Sequence, residues 1–510
     1  MHRAGVAGLW MTLDAFDGDA AKLADPIREV GGSWTREAQG VVLRWSGDPA
    51  LFFRELIATS FRLDERGLVY FPALGRPSDH LGQATVLQRA LIGTYLQHGK
   101  TRGAGSEQVV TRGDEDAAEP PLRYRPLSWY AHQRAAADEK GKPARWTLDP
   151  GGTLTPVAGW LVPGGAVRHV GLGGSTALSE PTGRYLALLY APIGAYYVEL
   201  QAQTQRVRPQ FSLVLPEVID LKRYARARRR LMSEPARAGL AAGGAQAALR
   251  ILGRIRAEEA REDLRVMHCR VVDFGRVAWV SNQTVRISLY DVNPDALRGL
   301  DAFQAADAVF VPRVATSGAG ERFWVVPQMP EMIARNAIHG RAWWSGFAEF
   351  VADLERRKAV MGEGGRRGER REMATLVQEQ AGAFEDAEAI FVEACHEAWR
   401  RRMGAMGERA RGQRLDFSAL VQREFEQQRV TFAHCKDAAT FRQAITDFWS
   451  RGGSSKPLRG GWRSILPFLD ERQWRAGRDL ALLALVSYRP DEEEKDPALN
   501  STPGGQGGNP

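Results

Sequence analysis

The chain has 510 residues, with 69 Lys and Arg against 61 Asp and Glu, a formal net charge of +8. That length is enough to bury several cores, and three cysteines make no disulfide framework but fit a reduced cytoplasm. A secreted or bilayer-spanning protein is excluded by pattern: the opening MHRAGVAGLWMTLDAFDGDA turns acidic, and the longest apolar run, YLALLYAPIGAYYVEL, is interrupted by Pro192, Gly194 and Glu199. A soluble cytoplasmic protein is expected, and its positive excess suits an anionic partner such as nucleic acid.

Residues 1–330 mix short β-like runs with helices. GVVLRW and GLVYFP predict strands, and DPALFFRELIATSF predicts a helix. In QATVLQRALIGTYLQHGKTRG, Val86, Leu87, Ala90, Leu91, Tyr95 and Leu96 recur at helical spacing, so a helix is predicted to end at Gly99 as its C-cap. His98, Lys100 and Arg102 then sit where cations suit the negative end of the helix dipole. Gly99-Lys100-Thr101 repeats the last letters of a phosphate-binding P-loop. The match fails, because five residues separate Gly93 from Gly99 where the motif has four, and the helix enters the glycine instead of leaving it.

A long polar loop, GKTRGAGSEQVVTRGDEDAAEPP, follows, and a loop of that length is functional or disordered. It leads into the basic and aromatic LRYRPLSWY, which carries Arg123 and Arg125. Further strands are predicted at VAGWLVPG, RYLALLYAP, AYYVELQAQ, FSLVLP, LRVMHCRVVDFGRVAWV and TVRISLYDV, the last two alternating as half-buried antiparallel strands do.

Leu221 to Arg265 holds twelve Lys and Arg against five Asp and Glu. The excess concentrates in LKRYARARRR, on a predicted basic helix over 218–232. Lys222, Arg223, Arg226, Arg228, Arg229 and Arg230 have no acid among them, and such a run repels itself unless something anionic lies opposite. They are expected to meet RNA, DNA or an acidic neighbour rather than to form an internal ion-pair network.

Near Pro330 the texture changes to helical stretches rich in Glu, Arg, Ala and Gln, and a domain boundary is placed there. Helices are predicted over 331–359, 373–402, 416–429, 437–450 and 475–488, joined by GEGGRRG and RGGSSKPLRGG, as a bundle extending to residue 490. The tail 491–510 is too poor in apolar residues to fold and is expected to be disordered. The expected fold class is thus α+β: a mixed N-terminal region with antiparallel sheet, then a C-terminal α-helical bundle.

No reaction emerges from the inventory. GLGGSTALSE has neither the GxSxG of a nucleophile elbow nor the GxGxxG of a dinucleotide turn. Asp114, Glu115 and Asp116 in RGDEDAAE read as a solvated acidic run. His268-Cys269, Cys395-His396 and His434-Cys435 suggest zinc, but adjacent side chains diverge by about 100° on a helix and oppose each other on a strand. No metal or cofactor is expected, and WWSGF reads as core.

HRAGVAGLWMTL, YLQHGKTR, AGWLVPGGAVRH, LLYAPIGAYYVEL, FGRVAWVSNQTVR and the C-terminal FWSRGG…WRSILPFL…RDLALLALVSY together resemble the large subunit of type I CRISPR effector complexes (Cascade), in the myxobacterial branch whose family name records fruiting-body development. The likeness covers almost everything except the acidic tail. It implies a non-catalytic subunit that works with guide RNA and target DNA, with the complex's backbone and RNA-handle subunits, and with a helicase-nuclease recruited on target binding. It further implies help in recognising the short motif beside the target, and a C-terminal helical region that resembles the small subunit. Some relatives translate that small subunit separately, and Met373 is a candidate internal start.

The contact residues themselves are not carried over from the resemblance. Lys100, Arg102, Arg123 and Arg125 are candidates for backbone phosphates, while Gln97 and His98 lie where Gln97 reaches a base edge. The rival reading is a developmental regulator or interaction scaffold without DNA targeting. A metal-dependent nuclease is disfavoured by the missing acidic constellation.

Overall fold

The structure is a computed structural model that describes residues 1–110, 119–135, 154–164, 178–200, 210–259, 268–277, 280–293, 299–362, 368–379, 384–453 and 456–489. Asp114 to Asp116, most of GLGGSTALSE, most of the GEGGRRG joint and the tail lie outside the described residues. The chain forms two compact units, Met1–Asp307 with Val311–Gly340, and Ala308–Phe310 with Arg341–Pro510. The fold class is α+β, with short antiparallel sheets in the first and helices in the second.

The first unit is built on the N-terminal helix His2–Asp17 and the helix Thr182–Gly194. Their backbones touch. A Cβ on Gly5 would stand 1.6 Å from the Ala187 carbonyl oxygen, and one on Gly194 would stand 1.9 Å from that of Ala4. Glycine therefore sets the helix separation, since any side chain there forces the pair apart. RYLALLYAP, expected as a strand, belongs to this second helix, with Pro192 inside its last turn. The reason is burial: Tyr185 through Gly194 are all buried, which removes the polar positions that distinguish period 2 from period 3.6.

The main sheet has five strands in the order Leu240–Ala241, Tyr196–Leu200, Gln210–Pro216, Cys269–Val277, Val280–Val292. The first pair is parallel and the others are antiparallel, so FSLVLP and the described residues of AYYVELQAQ and of the two alternating runs lie in strands as read. VAGWLVPG is not a strand. Thr155–Pro156 pairs with Ser179–Glu180, and Gly159–Leu161 is a 3-10 turn.

In the second unit, helices run over Leu354–Met361, Arg370–Glu379, Asp386–Gln413, Phe417–Ala433, Ala438–Gly452, Lys456–Ile465 and Trp474–Ser487. The predicted 331–359 helix is broken into three, with Gly340 and Gly346 at φ +64° and +77° between the first two pieces. The left-handed backbone favours glycine and ends a helix. Lys456–Ile465 was expected as a joint and is helical, with Gly461 packed so closely on Ile390 that a Cβ would sit 2.7 Å away. Asp437 caps Ala438–Gly452 by accepting from the Thr440 amide at 2.7 Å. Buried Asp479 accepts from the amides of Gly346 (2.8 Å) and Ala348 (3.0 Å), pinning WWSGF with Trp343, Trp344 and Phe347 in the core. Met373 is buried within Arg370–Glu379.

Candidate nucleic-acid interface

The helix that leads to the basic loop is Leu81–Thr94, and it stops five residues short of Gly99. Both Tyr95 and Leu96 donate backbone hydrogen bonds to the Leu91 carbonyl (2.9 and 2.8 Å), which unwinds the last turn. Gly99 is thus not the cap. It opens a 3-10 turn, Gly99–Thr101, tied down by the Thr101 hydroxyl donating to the His98 carbonyl at 2.6 Å. His98 and Lys100 stand exposed on this turn, and Gln97 is half-buried with its amide donating to the Thr94 carbonyl at 3.3 Å.

Beyond the turn, the described residues of the polar loop pair with LRYRPLSWY as a two-stranded ribbon. Arg102–Ala104 pairs antiparallel with Leu127–Tyr130, and Gln108–Val110 pairs with Leu122–Tyr124. The chain rises along one strand and returns along the other. Sequence patterning did not show this, because strands of three or four residues are too short for alternation to register.

The ribbon gathers Arg102, Arg123 and Arg125. Arg123 and Arg125 are exposed, on one side of the returning strand, while Leu122 and Tyr124 are buried on the other. Arg102 is half-buried, and its guanidinium is pulled below its ordinary pKa first by burial and then by the neighbouring charge of Arg125. Like charges so placed repel, and among the described residues no acid pairs with either. Among the described residues, Arg123 meets only exposed carboxylates at long range, Glu107 at 3.9 Å and Glu321 at 3.5 Å. Such pairs contribute little and exchange readily for another anion.

The basic helix, Leu221–Met232, is capped by Asp220, which accepts from the Arg223 amide at 2.8 Å. Its arginines divide. Lys222, Arg223, Arg226 and Arg230 are exposed, the spacing of four placing Lys222, Arg226 and Arg230 along one side. Arg228 is buried: its Nε donates to the Ala195 carbonyl at 3.0 Å and its guanidinium lies 5.3 Å from the Tyr196 ring. Burial lowers its pKa, with the nearby Tyr196, Tyr224 and Tyr197 opposing that effect.

Arg229 is also used internally. It donates to the carbonyls of Ala73 (3.0 Å) and Met11 (2.9 Å) and to Asp14 (2.5 Å). Asp14 in turn pairs with Arg36, which reaches Asp17 at 3.1 Å and lies 4.9 Å from the Trp10 ring. Arg228 and Arg229 therefore depart from the expected outward-facing cluster and join the first unit's interior network. Arg229's acid, Asp14, lies far away in sequence, which is why counting local acids missed it.

Two residues outside the expected set belong to the ribbon's geometry. Gln88, fully buried, accepts from the Val69 amide at 2.7 Å and donates to the carbonyls of Arg125 (2.6 Å) and Gly67 (3.3 Å). Arg89 donates to the Arg123 carbonyl at 3.3 Å and pairs with buried Glu199 at 2.5 Å. The sequence signal is the polar pair Gln88-Arg89 set between apolar Val86-Leu87 and Ala90-Leu91.

The first unit, of α+β class, thus carries exposed basic residues on a ribbon and on a helix. Residues 1–189 match the DevT N-terminal domain and residues 380–504 match the DevT C-terminal domain. The chain belongs to the DevT family. The CRISPR-associated protein Cas8a1/Csx13 of Myxococcus xanthus (strain DK1622) is 28% identical over 519 aligned residues, covering 96% of this chain and 86% of that protein.

Proposed function

We propose that the chain is the non-catalytic large subunit of a type I CRISPR guide-RNA surveillance complex that contributes nucleic-acid backbone contacts and recognition of the motif beside the target. The similarity to a CRISPR-associated Cas8a1/Csx13 protein supports the class of complex. The observation that carries the nucleic-acid role is the ribbon, where Arg123 and Arg125 stand exposed on one side of the returning strand and half-buried Arg102 lies on the strand paired with Leu127–Tyr130. Among the described residues neither Arg102 nor Arg125 makes an ion pair.

In this reading Lys100, Arg102, Arg123 and Arg125 hold phosphates, as do the exposed Lys222, Arg223, Arg226 and Arg230, while Gln97 and His98 sit at the edge where a base is read. Base pairing with the guide supplies most of the sequence discrimination. Guide RNA, target DNA, the backbone and RNA-handle subunits and a helicase-nuclease recruited on target binding are the partners. The helical region 331–490 serves as a small-subunit-like element. The cellular role is antiviral defence in the cytoplasm, shared with fruiting-body development and sporulation. No helix among the described residues is long and apolar enough to cross a membrane.

Purification through a tag on this chain from its native host, followed by sequencing of co-purified RNA, tests the reading. Guide RNA together with neighbouring CRISPR subunits is the expected result. A chain that arrives with protein partners and no RNA overturns it in favour of a developmental scaffold.

A further inference from the structure

The ribbon's arginines sit on backbone that cannot aim itself, since a two-stranded ribbon is marginal in water without packing. Its returning strand is gripped from the inner edge. In extended backbone the carbonyls of residues i and i+2 point to the same edge, and Arg125, which precedes Pro126, is biased toward the extended region. The Arg123 and Arg125 carbonyls are held there by Arg89 and Gln88, adjacent residues of one helix. The same amide that holds Arg125 also accepts from Val69 and donates to Gly67. Gly67, at φ +71°, accepts from the Leu127 amide at 2.8 Å, and a Cβ on it would lie 2.8 Å from the Leu127 carbonyl. Arg89 is anchored by Glu199, in the Tyr196–Leu200 strand of the main sheet.

We propose that Gln88 and Arg89 are positioning residues for nucleic-acid contact: they touch no nucleic acid, but by holding the carbonyls of Arg125 and Arg123 they lock the aim of both guanidinium groups to the helix Leu81–Thr94 and, through Arg89, to the main sheet. The proposal rests on the ribbon being a nucleic-acid contact. It adds that affinity depends on an uncharged, fully buried glutamine. Gln88→Leu removes the grip without changing the charge of the surface. Arg89→Lys keeps the charge and the attraction to Glu199 but loses the fork that spans both acceptors.

The test is a double-mutant cycle on the complex purified through a tag on this chain, binding a fluorescein-labelled DNA duplex across a salt series. In the wild-type background, Arg123→Ala with Arg125→Ala is expected to weaken binding about ten-fold and to flatten the log–log salt slope by up to about two units. Gln88→Leu alone is expected to weaken binding about five-fold, and in its background the arginine pair then costs less than about two-fold, because guanidinium groups no longer aimed contribute little. Arg89→Lys gives the same pattern at smaller amplitude, and it carries the test if Gln88→Leu fails to fold.

A purely structural role predicts something else: lower thermal stability with the cost of the arginine pair undiminished. That multiplicative result overturns the proposal, as does wild-type affinity in both Gln88→Leu and Arg89→Lys, while the ribbon's role stands. If the arginine pair itself changes neither affinity nor slope, the ribbon is not a contact, and both the proposal and the reading beneath it fail.

Discussion

The ribbon and the basic helix are both arginine-rich, yet they use charge in opposite ways. On the ribbon, Arg123 and Arg125 alternate with buried Leu122 and Tyr124, so the strand period sends the two cations to one exposed side. On the helix, Leu221, Tyr224, Arg228 and Leu231 fall at spacings of three and four and are all buried, so Arg228 occupies a position in the apolar stripe. A run of like charge thus says little about partners until it is divided by the period of the element that carries it.

The sharpest way to break this comparison is to truncate the inward arginines. Arg228→Ala leaves the Ala195 carbonyl without its donor and opens a cavity beside Tyr196, so a loss of about 3 kcal/mol is expected in chemical denaturation. Arg228→Met refills the space and is expected to cost less than about 1 kcal/mol. Arg229→Ala follows at about 2 kcal/mol, from the loss of its bonds to Met11, Ala73 and Asp14. If Arg228→Ala instead retained full stability and lost nucleic-acid binding, the helix would face a ligand with its whole circumference and the contrast with the ribbon would dissolve.

A second expectation separates the two regions by pH. At the foot of the ribbon, His132 is fully buried among Phe61, Tyr95, Tyr130 and Trp160, with no hydrogen-bond partner for Nε2 among the described residues. Burial pulls its pKa down from 6.5 to about 3. The folded state therefore binds this proton less readily than the unfolded state, so the stabilisation is complete above pH 6.5 and is lost as pH falls toward 3. At about 1.4 kcal/mol per pH unit, the loss reaches about 2 kcal/mol at pH 5. Hydrogen exchange at the amides of Gly105 and Ala131, which bond to Pro126 and Thr101 across the ribbon, should accelerate on acidification more in the wild type than in His132→Phe. Equal acceleration in both would place the acid sensitivity elsewhere.

Much of this was open to reading in the chain. The α+β order, the antiparallel strands from Gln210 to Val292 and the capped helix at Asp437 follow from alternation, spacing and cap residues. Arg228 was legible too, since its spacing from Tyr224 and Leu231 puts it on the buried stripe, but treating the arginines as one block concealed that. The Arg229–Asp14 pair was not legible, because it joins residues 215 apart in sequence. Nor was the grip of Gln88 and Arg89, which depends on where a distant strand presents its carbonyls. RYLALLYAP shows the converse limit: a segment buried on every side carries no period at all.

The smallest effects on the fold are expected from the outward residues, and there the two regions should converge. Lys222, Arg223 and Arg226 are exposed and join no ion pair among the described residues, so replacing all three by alanine should change stability by no more than about 0.5 kcal/mol. Lys100→Ala with Arg102→Ala should behave similarly, although half-buried Arg102 also donates to the His98 carbonyl at 3.5 Å, a distance too long to count for much. Binding is where each set becomes visible. Each lost phosphate contact removes about 0.9 from the log–log salt slope, so the helix triple should flatten it by up to about 2.7 and the loop double by up to about 1.8. Titrating both variants of the assembled complex with target duplex at several salt concentrations separates the elements. If only the loop variant flattens the slope, the helix's exposed arginines face a protein neighbour, and loss of a co-purifying subunit from the helix triple would identify which one.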